Sequence, residues 1–168
     1  MTQHCYLCTF QVYKEWNSET KPHTRRHYIR AGNAYNAYQK AQVLCKSGYF
    51  SSVTPGAKAV CRHKDVQPAY AKDARKDIEA HRIILIEEYG IKATHPGGER
   101  TILSTFLGDG RHALMELRSK AFDLANSGKY GTYPNDIESF NEQVEAEFSE
   151  DGLSWESENG TILKIITL

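Results

Sequence analysis

The stretch Lys40-Ala-Gln-Val-Leu-Cys-Lys-Ser-Gly-Tyr49 occurs again, in altered form, as Lys120-Ala-Phe-Asp-Leu-Ala-Asn-Ser-Gly-Lys-Tyr130. Lys, Ala, Leu, Ser and Gly coincide when the two copies are aligned at a spacing of 80 residues. In each copy the apolar residues recur at steps that match one face of an α-helix. Ser-Gly follows directly, and glycine is common just beyond a helix C-terminus. The repeated stretch therefore predicts two amphipathic helices with similar ends.

Both helices extend backwards from the repeated stretch with the same pattern. The first is predicted to begin at Asn33, a good N-cap residue, and the second covers about 110–127. Steps of three, four and three define the two apolar faces: Ala34, Ala37, Ala41 and Leu44, then Leu114, Leu117, Ala121 and Leu124. Gly48 and Gly128 are predicted as left-handed residues that end them. A hairpin-like stretch precedes each helix, which favours duplication of a ββα unit, although chance convergence on a common helix pattern is the alternative.

The strands are predicted from alternating apolar residues. Along 4–13, Tyr6, Cys8, Phe10 and Val12 fall on one face, and 25–31 forms the returning strand after a polar loop over 15–24. Further strands are predicted at 58–62, at 83–92 and at 100–107, with a turn at 95–98. For 83–89 a continued helix is an open alternative. Pro68 is expected in the first turn of a helix over 68–80 that packs Ala71, Ala74 and Ile78.

The C-terminal part is predicted to form a helix and a hairpin. Asn135 or Asp136 can cap the helix, with Glu138 placed for a capping box. Its apolar stripe is Ile137, Phe140, Val144 and Phe148. Asn159-Gly160 predicts a two-residue hairpin between 153–158 and 161–167. The fold class is therefore α+β, with antiparallel hairpins covered on one face by helices. The predicted segments are 1–66 (ββαβ), 67–134 (helix, hairpin, helix) and 135–168, all in one globule.

Size and composition favour a soluble cytoplasmic protein. The longest strongly apolar run, Ile83 to Ile86, is far too short to cross a bilayer, so no membrane association is expected. The N-terminus lacks the basic and apolar segments of a secretory signal. Without export, the four cysteines are expected to be reduced thiols.

Charge is distributed very unevenly along the chain. Residues 1–129 hold 20 Lys and Arg against 12 Asp and Glu, whereas 130–163 hold nine acids and no Lys or Arg. Lys164 brings the net charge to zero. A concentrated negative surface attracts basic partners and speeds their association. We call Glu138, Glu142, Glu145, Glu147, Glu150 and Asp151 the acidic surface, and predict that it contacts a partner. A solvated helix face is the alternative interpretation.

Metal and catalytic motifs are weak. Cys5-x-x-Cys8 with Cys61-x-His63 has zinc-ligand residue types, but residues three apart in a strand face opposite sides of a sheet. Cys8 and Cys45 are better explained as small core residues. Gly108-Asp109-Gly110 before a helix could hold a phosphate, but a simple turn with Asp109 as cap explains it better. No cofactor, metal site or catalytic residue is predicted.

The basic hairpin is the other candidate site. It comprises Lys21, Arg25, Arg26, Tyr28 and Arg30. Alternation places Arg26, Tyr28 and Arg30 on one face, where they could contact phosphates and stack on bases. A strand with a solvated basic face is the simpler interpretation.

Three functions remain, in order of preference. The first is a non-enzymatic protein that binds a basic surface of a partner protein through the acidic surface, as a nucleic-acid mimic does. Its small size fits a regulator or inhibitor encoded by a phage or mobile element. The second is nucleic-acid binding by the basic hairpin, and the third is a small enzyme with a Cys/His site. Association of two copies into a homodimer is also open, because the acidic surface could pack on the basic N-terminal part of another copy.

Overall fold

The computed structural model describes residues 3–14 and 21–168, and the chain divides into two compact units. The first unit is Met1–Glu87 with Leu107–Asp109, and the second is Glu88–Phe106 with Gly110–Leu168. The chain passes between the units at 87/88, at 106/107 and at 109/110, whereas the sequence-based boundaries are at 66/67 and 134/135.

The strands and helices occur along the chain in the following order. The N-terminal half contains β1 (His4–Tyr13), β2 (His23–Ala31), α1 (Ala34–Lys46), α2 (Tyr49–Val53), β3 (Lys58–Val60), β4 (Val66–Pro68) and α3 (Ala71–Glu79). Then come β5 (Ile84–Thr94), β6 (Arg100–Gly108), α4 (Gly110–Asn126), α5 (Ile137–Ala146), β7 (Ser154–Glu156) and β8 (Ile162–Thr167). The described residues thus contain eight strands and five α-helices, and the predicted α+β class is confirmed.

The first unit is built on the β1–β2 hairpin. The two strands pair antiparallel from His4 opposite Ala31 to Val12 opposite His23. Tyr6, Cys8, Phe10 and Val12 are all buried, as the alternation predicted. β3 and β4 pair with β1, and β2 pairs in parallel with the beginning of β5. The part of the predicted loop at 15–20 lies outside the described residues.

Helix α1 covers this hairpin with the face that the sequence predicted. The Asn33 side chain accepts a hydrogen bond from the backbone N–H of Asn36 at 2.8 Å, which fixes the start of the helix. Ala37, Ala41 and Leu44 are fully buried in a core with Phe10 and other apolar residues of β1 and β2. Small residues on the buried face let the helix lie close to the sheet.

In the second unit α4 packs on β7 and β8, which belong to a sheet with β5, and α5 contacts α4. The end of β5 pairs antiparallel with β8, from Tyr89 opposite Thr167 to Thr94 opposite Ile162, and β7 pairs with β8. Its core residues share complete or nearly complete burial; they are Ile91, Ala93, Leu117, Ala121, Ala125, Val144, Trp155 and Leu163. The two units therefore have separate hydrophobic cores.

The predictions for Gly48 and for Pro68 are wrong in detail, and one open alternative is excluded. Gly48 has φ of −75° and caps the start of the short helix α2, so it is not a left-handed residue that ends α1. Gly128, with φ of +76°, has the predicted left-handed conformation. Pro68 ends strand β4, and α3 begins three residues later, at Ala71, which is exposed. The alternative of a continued helix over 83–89 is excluded, because β5 begins at Ile84.

Two differences concern α4 and the last hairpin. On α4 the buried face includes Ala113 and Ala125, whereas Leu114 is 37 % exposed, so the face is rotated from the predicted one. At the hairpin, the backbone N–H of Ser157 donates to the carbonyl of Thr161 at 2.9 Å, which leaves a loop of three residues with Gly160 left-handed, rather than the predicted two.

Candidate functional site

Three of the six residues of the acidic surface lie on α5 in the second unit, and the other three follow it. Asp136 is the N-cap: its carboxylate accepts hydrogen bonds from the backbone N–H of Ser139 at 3.0 Å and from its hydroxyl at 2.9 Å. These bonds hold the pKa of Asp136 below its usual value, because they stabilise the ionised carboxylate. Asp136 rather than Asn135 caps the helix. A capping box needs Glu or Gln three residues after the cap, and with Asp136 as the cap that residue is Ser139. Glu138 is therefore one position too early to form the predicted capping box.

Helix α5 contacts the core with only part of its predicted stripe. Val144 is fully buried, and Phe140 and Phe148 are half-buried against the core of the second unit. Ile137 is 72 % exposed and is therefore not a core residue. A large apolar side chain is thus presented to solvent in the first turn of the acidic helix.

Three members of the acidic surface have partners within the second unit. The Arg118 guanidinium pairs with both carboxylate oxygens of Glu145, and one of these contacts is a hydrogen bond of 2.8 Å. Glu147 accepts hydrogen bonds from the Tyr133 hydroxyl at 2.9 and 3.1 Å. Asp151 accepts from the hydroxyl of Ser149 and the backbone N–H of Leu153, at 2.7 and 3.0 Å, and so stabilises a turn.

The other three carboxylates are unpaired within the described residues. Glu138, Glu142 and Glu150 are exposed and make no ion pair or side-chain hydrogen bond in that part of the chain. Glu138 and Glu142 are four residues apart on α5, so they project from the same side of the helix. The acidic surface thus has a structural part and a part that is open to a partner.

Tyr133 links the acidic surface to the last hairpin. Its hydroxyl donates to Glu147 and accepts from the backbone N–H of Glu158 at 3.2 Å. Burial, together with the bond to Glu147, raises the pKa of Tyr133 to about 12, so the hydroxyl stays protonated. Burial also raises the pKa of Glu147, and the Tyr133 hydrogen bond opposes that rise.

A groove that the sequence did not reveal lies beside these residues. It has a volume of about 650 Å³ and is bounded by the C-terminal half of α4, the connection 128–135 and the first turns of α5. Its apolar lining comes chiefly from Phe122, Tyr133, Ile137 and Phe140. We call this the aromatic groove. The spacing of Gly128, Gly131 and Pro134 between two helices is the one sequence signal that could have pointed to it.

Gly131 brings one wall of the aromatic groove against the last hairpin. Its φ is +146°, and a Cβ at this position would lie 2.5 Å from Cβ of Glu158 and 3.2 Å from Cε2 of Tyr133. The backbone N–H of Asn159 donates to the carbonyl of Tyr130 at 3.2 Å. The wall is therefore held by contacts that only glycine permits.

The residues of the basic hairpin do not all lie on one face: Arg26, Tyr28 and Arg30 occupy alternate positions of β2, whereas Arg25 lies on the other face. Arg25, Arg26 and Lys21 are exposed, but Arg25 and Arg26 are successive in β2 and so point to opposite faces. Tyr28 is 3 % exposed, and its hydroxyl donates to Asp77 at 2.6 Å. Arg30 lies 3.4 Å from Glu87 in an ion pair. Burial of the Tyr28 ring leaves it without an accessible face on which a base could stack.

The cysteines are core residues or half-buried. Cys8 and Cys61 are buried, and Cys5 and Cys45 are half-buried. Burial raises the pKa of Cys8 and Cys61 to about 12 and that of Cys45 to about 11, so these thiols stay protonated at neutral pH and are weak nucleophiles. Across 3–14 and 21–168, no group of three or more His, Cys, Asp or Glu side chains is arranged to hold a metal ion.

The turn at Gly108-Asp109-Gly110 is tied to the first unit. The hydroxyl of Tyr49 donates to Asp109 at 2.9 Å. The carboxylate thus has a hydrogen-bond partner within the first unit. Asp109 lies between the last residue of β6 and the first residue of α4, so the stretch connects a strand to a helix.

Comparison of the chain with protein families, with curated proteins and with solved structures gave no match. None of the helices in the described residues is long and apolar enough to span a membrane.

Proposed function

We propose that this chain is a non-enzymatic binding protein that contacts a basic surface of a partner protein through its acidic surface. The observation that carries the proposal is the exposure of Glu138, Glu142 and Glu150 in a segment, 130–163, that holds nine acids and no Lys or Arg. No basic residue of that segment neutralises them. Such a surface attracts a cationic partner over about 10 Å at moderate ionic strength.

The same acids would make the protein a regulator or inhibitor. A partner surface rich in Lys and Arg is often one that binds nucleic acid or another anionic ligand. By occupying that surface, an acidic protein excludes the ligand and thereby regulates the partner. The anchored carboxylates Glu145 and Glu147 favour this role, because they hold the surface in one conformation before binding.

A charge-reversal experiment tests this proposal. The variant Glu138→Lys/Glu142→Lys/Glu150→Lys changes only the carboxylates that have no partner in the described residues. The control Glu79→Lys/Glu88→Lys/Glu99→Lys reverses three exposed acids elsewhere and gives the same net charge. Capture of proteins from a lysate of the native host, followed by titration of the captured partner, compares both with the unaltered chain.

The first variant is expected to weaken partner binding by about a hundredfold, since each close charge pair can contribute more than 1 kcal/mol. The control is expected to bind as the unaltered chain does, and added salt to weaken the complex. Equal loss in both variants, or no loss in the first, would show that the acidic surface is not the binding site. Salt-sensitive binding of the chain to a labelled DNA or RNA oligonucleotide, lost in Arg25→Ala/Arg26→Ala, would favour the basic hairpin instead.

A further inference from the structure

The aromatic groove has features that the acidic surface alone lacks. Its volume of about 650 Å³ is in the range of ligand-binding clefts. Ile137, which is 72 % exposed, stands at its edge and has no core to cover. A large apolar side chain held in water beside a preformed cleft is energetically unfavourable unless another apolar group covers it.

The floor of the groove is formed by aromatic rings that pack on one another. The ring of Phe140 meets those of Phe122 and Tyr133 edge-on, with centroids 6.1 and 5.8 Å away. All three rings are half-buried, so part of each stays open to an incoming group. Because Tyr133 is fixed by its hydrogen bonds and Gly131 by close packing, this floor exists before any ligand arrives.

The charged residues around the groove determine which ligand charge it favours. Among residues 3–14 and 21–168, no Lys, Arg or His lines it, and Asp123 is the acidic residue in its lining. Glu138 and Glu142, both exposed, each follow a lining residue of α5, Ile137 and Asn141. Against these three carboxylates stands one exposed cation next to a lining residue, Lys129 after Gly128, and the Arg118 guanidinium lies 5.1 Å from the centroid of the Phe122 ring. The rim is therefore predominantly negative and the floor apolar. The side-chain amides of Asn135 and Asn141 add groups that can hydrogen-bond to a peptide backbone.

From this combination we infer that the aromatic groove is the docking site for a basic segment of the partner protein. An apolar side chain of that segment packs against Phe122, Phe140 and Ile137. Flanking Lys or Arg side chains approach Asp123, Glu138 and Glu142. This inference rests on the proposed function, since it specifies which part of a basic partner the acidic protein holds.

Synthetic peptides can test the groove without the natural partner. The probe is a fluorescein-labelled Lys-Arg-Leu-Phe-Arg-Lys peptide, and its binding to the whole chain is followed by fluorescence anisotropy. Two comparison peptides replace either Leu-Phe by Ser-Ser or the four basic residues by acids. The chain variants are Ile137→Ser, which removes the exposed anchor, and Asn141→Lys, which places a cation in the groove.

Ile102→Ser is the control, because Ile102 is an apolar residue of comparable type that is 47 % exposed and does not line the groove. The Ser-Ser peptide and the Ile137→Ser variant are each expected to bind about tenfold more weakly, as loss of one apolar contact predicts. Asn141→Lys should weaken binding similarly, and Ile102→Ser should leave it unchanged. In the amide NMR spectrum, the signals of Gly131, Asn135 and Ile137 are expected to shift on titration.

Three results would overturn the inference. The first is that the Leu-Phe and Ser-Ser peptides bind with equal affinity and that Glu138→Lys/Glu142→Lys/Glu150→Lys abolishes binding of both. Charge would then act without the groove, so the proposed function would stand and the assignment of the groove would be wrong. Self-association of the chain that Ile137→Ser abolishes would show that a second copy, and not a partner, covers this residue. Absence of binding by any basic peptide, together with an intact complex in the triple charge reversal, would contradict both proposals.

Discussion

Ser47 and Ser127, which are 80 residues apart, make the same two hydrogen bonds at the ends of two different helices. The Ser47 hydroxyl donates to the carbonyl of Leu44 at 2.8 Å, and that of Ser127 donates to the carbonyl of Leu124 at 2.6 Å. Each hydroxyl oxygen then accepts from a backbone N–H two residues on, at 3.3 Å in both cases. The repeated Ser-Gly is thus a helix-ending device, and the glycines after it differ in conformation.

Replacing either serine by alanine should destabilise its own unit. We expect Ser47→Ala and Ser127→Ala each to lower the free energy of unfolding by about 0.5–1.5 kcal/mol, since each loses a hydrogen bond to a helix-end carbonyl. Urea unfolding followed by circular dichroism measures the change. Ser51→Ala, in the short helix α2, is a useful comparison because its hydroxyl bonds to the carbonyl of Gly48 in an exposed position. No loss in either cap variant would show that water replaces these bonds at no cost.

The sequence predicted those parts of the fold in which one face alone is buried. In β1, alternation with a period of two distinguished core from solvent, and every predicted core residue is buried. In α4, the apolar residues form a wider stripe than the helix needs, so both Ala113 and Leu114 were compatible with a core position. The close approach of the helix to the sheet favours the smaller residue, and Leu114 remains 37 % exposed. Helical periodicity cannot resolve such a rotation.

At the candidate site, local sequence patterns likewise fail to predict contacts between residues that are far apart in the chain. The acids of α5 were visible in the sequence because they are contiguous. Ile137 is predicted as a core residue because it continues the stripe of Phe140 and Val144, but only Val144 is fully buried on α5, and Ile137 is 72 % exposed. The aromatic groove joins Phe122 to Phe140, and this contact depends on tertiary packing that no local pattern encodes. The parallel pairing of β2 with β5 was missed for the same reason.

His27 should make the first unit sensitive to acid. Its ring is 3 % exposed, and within the described residues neither ring nitrogen has a hydrogen-bond partner. The rings of Phe10, Tyr49 and Phe50 surround it at 5.6 to 6.0 Å. Burial, assisted by the nearby charge of Arg25 and opposed by that of Asp109, lowers the pKa of His27 from 6.5 to about 4.

A depressed histidine pKa means that the unfolded chain binds a proton more readily than the folded one. The contribution of neutral His27 to the free energy of unfolding is therefore fully present above about pH 6.5. It decreases as the pH falls towards 4, by an amount on the order of 3 kcal/mol. His27→Leu removes the titrating group and should flatten this pH dependence. Urea unfolding at several pH values between these limits measures it, with His23→Leu, at an exposed position in the same strand, as the control. An unchanged slope in His27→Leu would mean that other groups cause the acid sensitivity.

Gly131 should be the least replaceable glycine of the second unit. In Gly131→Ala, the new Cβ would lie 2.5 Å from Cβ of Glu158 on a backbone with φ of +146°, so both the contact and the dihedral angle are unfavourable. We expect a loss of about 2 kcal/mol or more in the free energy of unfolding, as is usual for alanine at a strained glycine position. Gly97→Ala is the matched control, since nothing lies within 4 Å of its added Cβ. Thermal unfolding of both variants distinguishes local crowding from a general effect of the substitution.

Tyr133→Phe should change the acidity of Glu147 without unfolding the second unit. The tyrosine hydroxyl stabilises the ionised carboxylate through bonds of 2.9 and 3.1 Å, and this lowers a pKa that burial has raised. Without the hydroxyl, the pKa of Glu147 is expected to rise further. Carbon-13 NMR titration of the glutamate side chains measures the shift, and the signal of Glu142, which has no partner in the described residues, serves as an internal reference. A lower pKa of Glu147 in the variant would contradict this assignment of the hydrogen bond.

The four thiols should differ sharply in their reactivity in the folded protein. Burial raises the pKa of Cys8 and Cys61 to about 12 and of Cys45 to about 11, so at pH 7 few of these groups are ionised, and the two most buried are also shielded from reagents. We expect an aromatic disulfide reagent to modify Cys5 first and the other three only as fast as the first unit opens. Mass spectrometry of the time course, with Cys5→Ser as the comparison, tests this order. Rapid modification of Cys8 or Cys61 in the folded chain would show that the β1–β2 core opens far more readily than its packing indicates, since both thiols lie within the same hydrophobic cluster.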